Sequence, residues 1–430
     1  MKRLVVLACA AAAIAACGVD DEPAAGPPAR PVSALGCSPV TYGGPGRPRF
    51  LIVISSGFQG IYGGHGVQTA QAVKMVLAGR GWRAGDYTIG LQACEETDAA
   101  TDLPSPEKCA RNARAFAREP SVLGVIGPLT SNCATHMLAT LNAAPDGPLA
   151  TISGGNTYVG LTRAGPGTLP GEPERYTPTG RRGYARLAPT DDVQGAANAL
   201  HARKLGLTRA YVVEEASAYG RGLAASFRYA AARVGLHVLG SAHWDGRARD
   251  YHALAARIRR GHPEAVFVAG DVAANGPKLI ADLSAGLGDR VQLMAGDAFN
   301  LPTKLVEAAG AGAEGLRISI AVLPNRRLPP AGRRFSAEFE QRFSQRPCCF
   351  SVHDAQGTRM LLDAIAASGG HRDRVTENLM HSRVEDGLVG DFEIDATGDT
   401  TLSTMGIYRI EHGSLRFETA ISPARELLGR

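Results

Sequence analysis

The stretch Phe50-Leu51-Ile52-Val53-Ile54 is an unbroken run of apolar residues. Such a run is typical of a strand that is buried on both faces of a parallel sheet. The next apolar pattern, over Gly66–Ala78, has helical spacing, and a second strand is predicted over Tyr87–Leu91. Because a strand, a helix and a parallel strand form one βαβ unit, this region predicts an α/β fold.

The same alternation continues along most of the chain. In the first half it predicts helices over 107–118 and 131–141 and strands over 121–126 and 148–152. It restarts after a Gly- and Pro-rich loop at 163–183. The later segments are helices over 194–205, 222–234, 250–260 and 277–285, and strands over 209–214, 237–240, 265–269 and 291–295. Two such runs predict two doubly wound, Rossmann-like lobes.

The C-terminal region breaks this rhythm. Residues Gly390–Ile394 and Met405–Ile410 alternate between apolar and polar side chains on either side of Thr397-Gly398-Asp399. Alternation around a turn sequence indicates a β-hairpin, so we expect these two segments to pair with each other.

The N-terminus carries the signature of export. Lys2 and Arg3 precede an apolar segment, and Ile14-Ala15-Ala16-Cys17 resembles a bacterial lipobox, in which the cysteine becomes the acylated first residue. We therefore expect a lipoprotein signal peptide over 1–17 and a membrane anchor at Cys17. The alternative is an ordinary cleaved signal with an incidental cysteine.

A Pro-, Ala- and Gly-rich segment follows the signal and predicts a flexible tether over residues 18–45. The expected location is extracytoplasmic, either in a periplasm or on the outer face of the plasma membrane.

Composition narrows the class of function. The chain has 44% hydrophobic and 20% charged residues, and its formal charge of +5 is dispersed along the sequence. This pattern does not suggest a nucleic-acid partner. The sequence contains no G-x-S-x-G elbow, no H-E-x-x-H helix and no P-loop. We therefore expect no catalytic residues, no metal and no cofactor, and an exported hydrolase is the remote alternative.

Six cysteines lie beyond Cys17, and in an exported chain an even set suggests disulfides. Successive right-handed crossovers place the helices that begin near Glu107 and Ser131 side by side, with Cys109 and Cys133 in their first turns. A Cys109–Cys133 disulfide is therefore feasible. Pairing of Cys94 with either of them is the alternative.

The remaining cysteines divide into two cases. A Cys37–Cys94 bridge would complete an even set with Cys109–Cys133. Cys348 and Cys349 are adjacent in sequence, so they could form a bridge between neighbouring residues or stay reduced.

Ligand-binding candidates lie in the loops that follow the strands, where open α/β sheets bind ligands. Ser131, Gly155, Asn156 and Thr157 offer hydroxyl and backbone N–H groups near helix N-termini, which suits a carboxylate. The alternative for Ser131 and Thr157 is helix capping alone.

The second half of the chain offers the opposite charge. Asp271 and Asp297 follow two strands and could neutralise an ammonium group, while Tyr62 and Tyr219 could supply walls and hydroxyls. Asp297 could instead cap a short helix from Leu301, and Asp271 could be a solvated loop acid. An anion-binding half opposite a carboxylate-bearing half predicts a site for a zwitterion, such as an amino acid.

Several different short motifs follow one another between residues 50 and 410. They are Gly124-Val125-Ile126-Gly127-Pro128 with Ser131, Ser153 with Asn156-Thr157-Tyr158, Ala218-Tyr219-Gly220-Arg221-Gly222, Ala313-Glu314-Gly315-Leu316, and Gly387-Leu388-Val389-Gly390-Asp391-Phe392 with Asp395 and Gly398-Asp399. In this order the chain resembles the branched-chain amino acid binding family, the type I periplasmic binding proteins that serve ABC transporters.

The resemblance implies two lobes that are joined by three crossovers and close on a ligand. It implies lobe one over 46–188 plus 322–386 and lobe two over 189–321 plus 387–420. It also implies a monomer that delivers a small solute to an ABC permease. A lipoprotein that senses its ligand and signals to a membrane partner is the alternative.

The resemblance also suggests residue roles. Ser131 and Thr157, with the Gly155 backbone, would hold the ligand carboxylate, Tyr219 would line the cleft from lobe two, and Asp297 would pair with the ammonium group. Asp271 occupies a position where the family commonly has an aromatic residue. Gln59, in the loop after the first strand, is expected to add a polar contact.

Overall fold

The computed structural model describes residues 27–34 and 36–430. The expected signal peptide over 1–17, the lipidation site at Cys17 and the first part of the tether lie outside the described residues. Among the described residues, no helix is both long enough and apolar enough to cross a membrane.

The strands are numbered in chain order and form three sheets. They are β1 (Phe50–Ser56), β2 (Arg83–Ala84), β3 (Tyr87–Glu95), β4 (Val122–Ile126), β5 (Ala150–Ser153), β6 (Tyr184–Arg186), β7 (Arg209–Glu214), β8 (His237–His243), β9 (Ala265–Ala269), β10 (Gln292–Ala295), β11 (Arg317–Ile320), β12 (Arg383–Val384), β13 (Phe392–Glu393), β14 (Met405–Glu411) and β15 (Ser414–Ile421). The three sheets have the orders β2-β3-β1-β4-β5-β6, β15-β14-β11-β10-β9-β7-β8 and β12-β13.

The α-helices connect and cover these strands. They are α1 (Gly63–Gly79), α2 (Pro106–Arg118), α3 (Ser131–Asn142), α4 (Asp191–Lys204), α5 (Ala218–Val234), α6 (His252–Arg260), α7 (Gly276–Leu287), α8 (Pro302–Ala309), α9 (Pro330–Phe343), α10 (Ser351–Ala366) and α11 (Arg372–Met380).

The two large sheets are parallel in their centres. Strand β1 pairs in parallel with β3 and β4, and β9 pairs in parallel with β7 and β10. Parallel neighbours require crossover helices, which is why both lobes are layered α/β structures. The prediction of two doubly wound lobes is confirmed, and the chain passes between them three times.

The predicted hairpin is wrong. Strand β13 pairs with β12, whereas β14 pairs with β11 on one side and with β15 on the other. The real hairpin turns at His412-Gly413, where Gly413 has a φ of +72°. Residues 390–394 stay with the first lobe because Phe392 and Ile394 are buried in its core.

One lobe boundary differs from the predicted one. Leu388, Phe392 and Ile394 belong to the hydrophobic core of the first lobe, and Met405 belongs to that of the second. The third crossover therefore lies between residues 394 and 405, not at 387 as predicted.

The predicted tether is also too long. Within it, Ala29 and Val32 are buried, and the Val32 N–H donates to Gln92 Oε1 over 2.8 Å. Cys37 forms a disulfide with Cys94 in β3. These contacts attach the described part of the segment to the edge of the first lobe.

Both predicted disulfides are present. Cys109 and Cys133 are bonded at a Cα–Cα distance of 5.5 Å, because α2 and α3 lie side by side with their first turns at the same end. The alternative pairings of Cys94 do not occur, since Cys94 is bonded to Cys37. Cys348 and Cys349 are not bonded.

The 163–183 loop is ordered around one buried acid. Glu172 accepts hydrogen bonds from the Tyr158 and Tyr176 hydroxyls. The loop also passes along α5, so it contacts the second lobe. Its composition predicts none of these contacts.

Candidate functional site

A cavity lies between the two lobes, where the strands of both sheets end. Its volume is about 60 Å³, several times what one water molecule needs. Lobe one contributes Tyr62, His65, Leu129, Thr130, Ser131, Asn132, Gly155, Thr157, Cys349 and Phe350, and lobe two contributes Tyr219, Asp271, Asp297, Ala298, Asn300 and Leu301. Seven of the nine predicted ligand-binding residues are among them.

The other two predicted residues have structural partners elsewhere. Asn156 donates to the carbonyls of Pro128 and Leu129 and accepts from the Tyr184 hydroxyl. Gln59 donates to the Thr97 carbonyl over 3.4 Å. Neither side chain lines the cavity, and their contact with a ligand stays a prediction.

Ser131 fixes the lobe-one wall. It is not the N-cap of α3, because Thr130 caps that helix by accepting from the Cys133 N–H. The Ser131 hydroxyl instead accepts from the N–H groups of Thr157 and Tyr158, each over 3.1 Å. A hydroxyl that accepts twice can still donate its own proton, so Ser131 can donate to a ligand.

The N-terminus of α3 supplies the remaining lobe-one donors. The N–H groups in the first turn of a helix lack intrahelical partners, and the turn formed by Ser131 and Asn132 lines the cavity. Gly155 also lines the cavity; its N–H donates to Ser153 Oγ over 3.2 Å, and its contact with a ligand carboxylate stays a prediction. Lobe one thus offers neutral donors.

Asp297 provides the first carboxylate of lobe two. It begins a short 3-10 helix after β10, is buried, and accepts from the Tyr219 hydroxyl over 2.7 Å. Tyr219 lies in the first turn of α5, which begins upstream of its predicted start because Ser217 caps it. Asp297 does not cap α8, whose N-cap is Leu301. Burial raises the pKa of Asp297.

Asp271 provides the second carboxylate and is not a solvated loop acid, since it is only 3% exposed. It accepts from the Tyr62 hydroxyl of lobe one and from the Ala273 N–H. Its own N–H donates to Glu215 Oε2 over 3.0 Å. Burial raises the pKa of Asp271, and burial together with the Asp271 charge raises the pKa of Glu215 to about 7.

The cavity has an uneven charge. Its described lining contains Asp271 and Asp297 but no Lys or Arg. Behind it, burial and the Asp297 charge raise the pKa of Asp191 at the start of α4. The described residues contain no group of three His, Cys, Asp or Glu side chains that could hold a metal ion. The arrangement therefore favours a cationic group of a ligand near lobe two.

The lobes touch around the cavity. Besides the Tyr62–Asp271 hydrogen bond, the Tyr219 N–H donates to Asn132 Oδ1 over 3.5 Å. Phe350, which lobe one contributes, stacks on His65 of the same lobe at 5.8 Å and packs into the core cluster of the second lobe. The structure therefore describes a closed cleft.

Several of the residues that line the cavity were not identified from the sequence. Asn132, in the first turn of α3, and Asn300, after the short helix that follows β10, come shortly after strands, where a search for cleft residues finds them. His65 and Phe350 carry no such signal, because only the packing of α1 against α10 brings them together. His65 is buried, which lowers its pKa to about 4, and its Nε2 has no partner. A neutral imidazole whose Nε2 has no partner therefore forms part of the cavity wall.

Comparison with protein families gives one match. A family model described as periplasmic binding protein matches residues 97–414. A comparison with curated proteins finds no match.

Solved structures with the same fold are numerous. The leucine-binding protein LivK of Thermotoga maritima is 21% identical, with a TM-score of 0.75 over 87% of this chain and 99% of its own. LivJ of Streptococcus pneumoniae, solved with isoleucine, is 18% identical, with a TM-score of 0.71 over 86% and 98%. A solute-binding protein of R. palustris, solved with benzoate, is 17% identical, with a TM-score of 0.71 over 89% and 99%. These similarities establish a shared fold.

Proposed function

Because the chain belongs to the periplasmic binding protein family, with the type I fold, we propose that it captures a small aliphatic amino acid between its lobes and delivers it to an ABC permease. The observation that carries the proposal is the pair of buried carboxylates, Asp271 and Asp297, opposite neutral hydroxyl and N–H donors in a cavity whose described lining has no Lys or Arg.

The lobe-two wall accounts for the ammonium group. A buried carboxylate without a cationic partner is costly, which is why burial raises the pKa of Asp297. A ligand ammonium beside Asp297 would remove that cost and restore the ionised form. An aromatic acid such as benzoate has no group that could do so.

The lobe-one wall accounts for the carboxylate. The Ser131 hydroxyl, the Thr157 hydroxyl and the first N–H groups of α3 would donate to it, and the helix dipole favours a negative charge at this end. His65 Nε2 offers a further neutral polar contact.

The rest of the cavity suits an apolar side chain. Leu129, Ala298, Leu301 and Phe350 line it. Because the ligand would contact both lobes, it would favour the closed form over the open one, and the closed form would be the one that docks on the permease. A lipid anchor at Cys17 would hold the protein near that permease.

The test is titration calorimetry of leucine and two truncated analogues. 4-Methylpentanoate lacks the ammonium group and isoamylamine lacks the carboxylate. We expect leucine to bind and both analogues to bind at least about 100-fold more weakly, because each leaves one wall unpaired.

Two results would contradict the proposal. One is binding of benzoate or 4-methylpentanoate as tightly as leucine, which would show that the acidic wall does not select for an ammonium group. The other is the absence of binding for every aliphatic amino acid after the protein has been unfolded, dialysed and refolded to remove any retained ligand.

A further inference from the structure

Two adjacent thiols lie beside the cavity, and one of them forms part of its wall. Cys348 and Cys349 precede α10, and their sulfur atoms lie 2.9 Å apart. Cys348 is exposed, whereas Cys349 is buried and lines the cavity beside Phe350. The solute-binding role proposed above does not use this pair.

The backbone holds the two side chains together. Neighbouring side chains in an extended chain point in opposite directions. Here Cys349 has a φ of +57°, a left-handed conformation that is uncommon for residues other than glycine. The Cys348 N–H donates to Gln68 Oε1 over 2.7 Å, which fixes this turn to α1.

The setting of the pair is oxidising. The other cysteines of the described residues, Cys37, Cys94, Cys109 and Cys133, are all in disulfides. The family implies an extracytoplasmic location, where disulfides form and persist.

We propose that Cys348 and Cys349 are an oxidisable site in which a disulfide-containing oxidant converts the two thiols into a bridge between adjacent residues and loosens the closed cleft. The proposal rests on the proximity of the two sulfur atoms and on the position of Cys349 between the lobes. It does not depend on which solute the cavity takes.

The reaction is thiol–disulfide exchange. The Cys348 thiolate attacks one sulfur of the oxidant, forming a mixed disulfide and releasing one oxidant thiol. The Cys349 sulfur then attacks Cys348, forming the bridge and releasing the second oxidant thiol. Two protein thiols lose two electrons, the oxidant disulfide gains them, and the two protons pass to the released thiolates.

The environment of each thiol matches this order. Cys348 is exposed and is therefore accessible to the oxidant, whereas Cys349 is buried behind it. Cys348 is therefore the residue that meets the oxidant.

Oxidation would change a contact between the lobes. The Cys349 thiol points at the backbone carbonyl of Asn300 in lobe two, with sulfur and oxygen 3.8 Å apart. A bridged sulfur has no hydrogen to donate, so this weak hydrogen bond is lost. Asn300 follows the short helix that carries Asp297, so the loss occurs beside the acidic wall.

The first measurement follows the thiols. The full chain, purified without reductant, is incubated with oxidised glutathione, trapped with N-ethylmaleimide and analysed by intact mass and peptide mapping. We expect the protein to be two hydrogen atoms lighter than the reduced form and unlabelled at Cys348 and Cys349. Mild reduction should restore two labels while the other disulfides persist.

The second measurement follows the cleft by hydrogen exchange of residues 297–301. We expect exchange to be about two- to threefold faster in the oxidised wild type than in the reduced one, as for loss of one weak hydrogen bond. Cys348→Ser is the matched control, because the exposed position tolerates the change and the variant cannot form the bridge. Its exchange should not respond to the oxidant.

Three results would overturn the proposal. They are two maleimide-reactive thiols after oxidation, a stable glutathione adduct at Cys348, and identical exchange of residues 297–301 in the oxidised and reduced wild type. Because neither readout requires bound solute, failure here is distinguishable from failure of the amino acid assignment.

Discussion

The two walls of the cavity differ in how they satisfy their polar groups. On lobe one, Ser131 accepts two backbone N–H groups and keeps a neutral hydroxyl for the ligand. On lobe two, Asp271 and Asp297 are buried carboxylates with only partial compensation from Tyr62, Tyr219 and nearby N–H groups. The polar groups of the lobe-one wall are therefore nearly all paired without a ligand, whereas the carboxylates of the lobe-two wall are not.

This difference indicates that the two walls contribute differently to ligand binding. A neutral, preorganised wall contributes orientation and modest affinity, because its hydrogen bonds replace similar bonds to water. A buried acidic wall contributes more, because a ligand cation compensates charges that have no cationic partner among the described lining residues. Lobe two should therefore dominate affinity and its pH dependence, and lobe one should determine which anion is accepted.

The largest expected effect is at the acidic wall. Asp297→Asn should weaken leucine binding by about 4 kcal/mol, or roughly 1000-fold, because the ligand ammonium loses its buried partner. Titration calorimetry measures the change, and Asp289→Asn on the surface of the same lobe is the control. An affinity within about threefold of wild type would contradict the assignment.

The neutral wall should give a smaller effect. Ser131→Ala with Thr157→Val should weaken leucine binding by about 2 kcal/mol, roughly 30-fold, as expected for lost hydrogen bonds to a charged group. The folded state should survive, although the N–H groups of Thr157 and Tyr158 lose their acceptor. Exposed Ser414→Ala is the control, and wild-type affinity in the double variant would refute a carboxylate site on this wall.

The pH dependence should separate the two walls. In the free protein the pKa of Asp297 is raised, and a bound ammonium lowers it again, so binding releases a proton. Affinity should therefore fall as the pH decreases through the raised pKa, by at most about tenfold per pH unit for one released proton.

Calorimetry in buffers of different ionisation enthalpy counts the released protons. The variant with Ser131→Ala should keep the pH dependence, and Asp297→Asn should reduce it. Equal proton release in both variants would mean that another group titrates.

The smallest expected effect is at the contact between the walls. Tyr62→Phe removes the hydroxyl that donates to Asp271 across the cleft. We expect leucine binding to weaken by about 1 kcal/mol, roughly fivefold, because the closed form loses one interlobe hydrogen bond. Tyr87→Phe, on the same lobe but outside the cavity, should bind like wild type. Tighter binding in Tyr62→Phe would show that this hydroxyl competes with the ligand for Asp271.

Much of the architecture could be predicted from local patterns. The strands at 209–214 and 265–269 have their predicted bounds, because buried parallel strands are short apolar runs with clear ends. The Cys109–Cys133 disulfide followed from the handedness of crossovers, which is nearly invariant. The positions of Asp271 and Asp297 followed from the rule that cleft residues come after strands.

The failures share a cause. The segment at 390–394 has the alternation of a strand, but alternation does not name a partner, and burial of Phe392 in the first lobe decided it. Gln59 and Asn156 have suitable chemistry in suitable loops, but backbone carbonyls accept from their amides, so their side chains do not line the cavity. A pattern in the sequence gives a residue's character but not its competing partners.

The sequence by itself determined the two α/β lobes and the presence of acids on one half of the cleft, and it indicated a feasible pairing of four cysteines that the structure then confirmed. These features depend on hydrophobic periodicity and on the fixed hand of βαβ units. Only the tertiary structure decided that His65 meets Phe350, that Ser131 accepts two N–H groups and that Cys349 faces Asn300. Those contacts join residues far apart in the chain, and they exist only once side chains compete for partners in a packed interior.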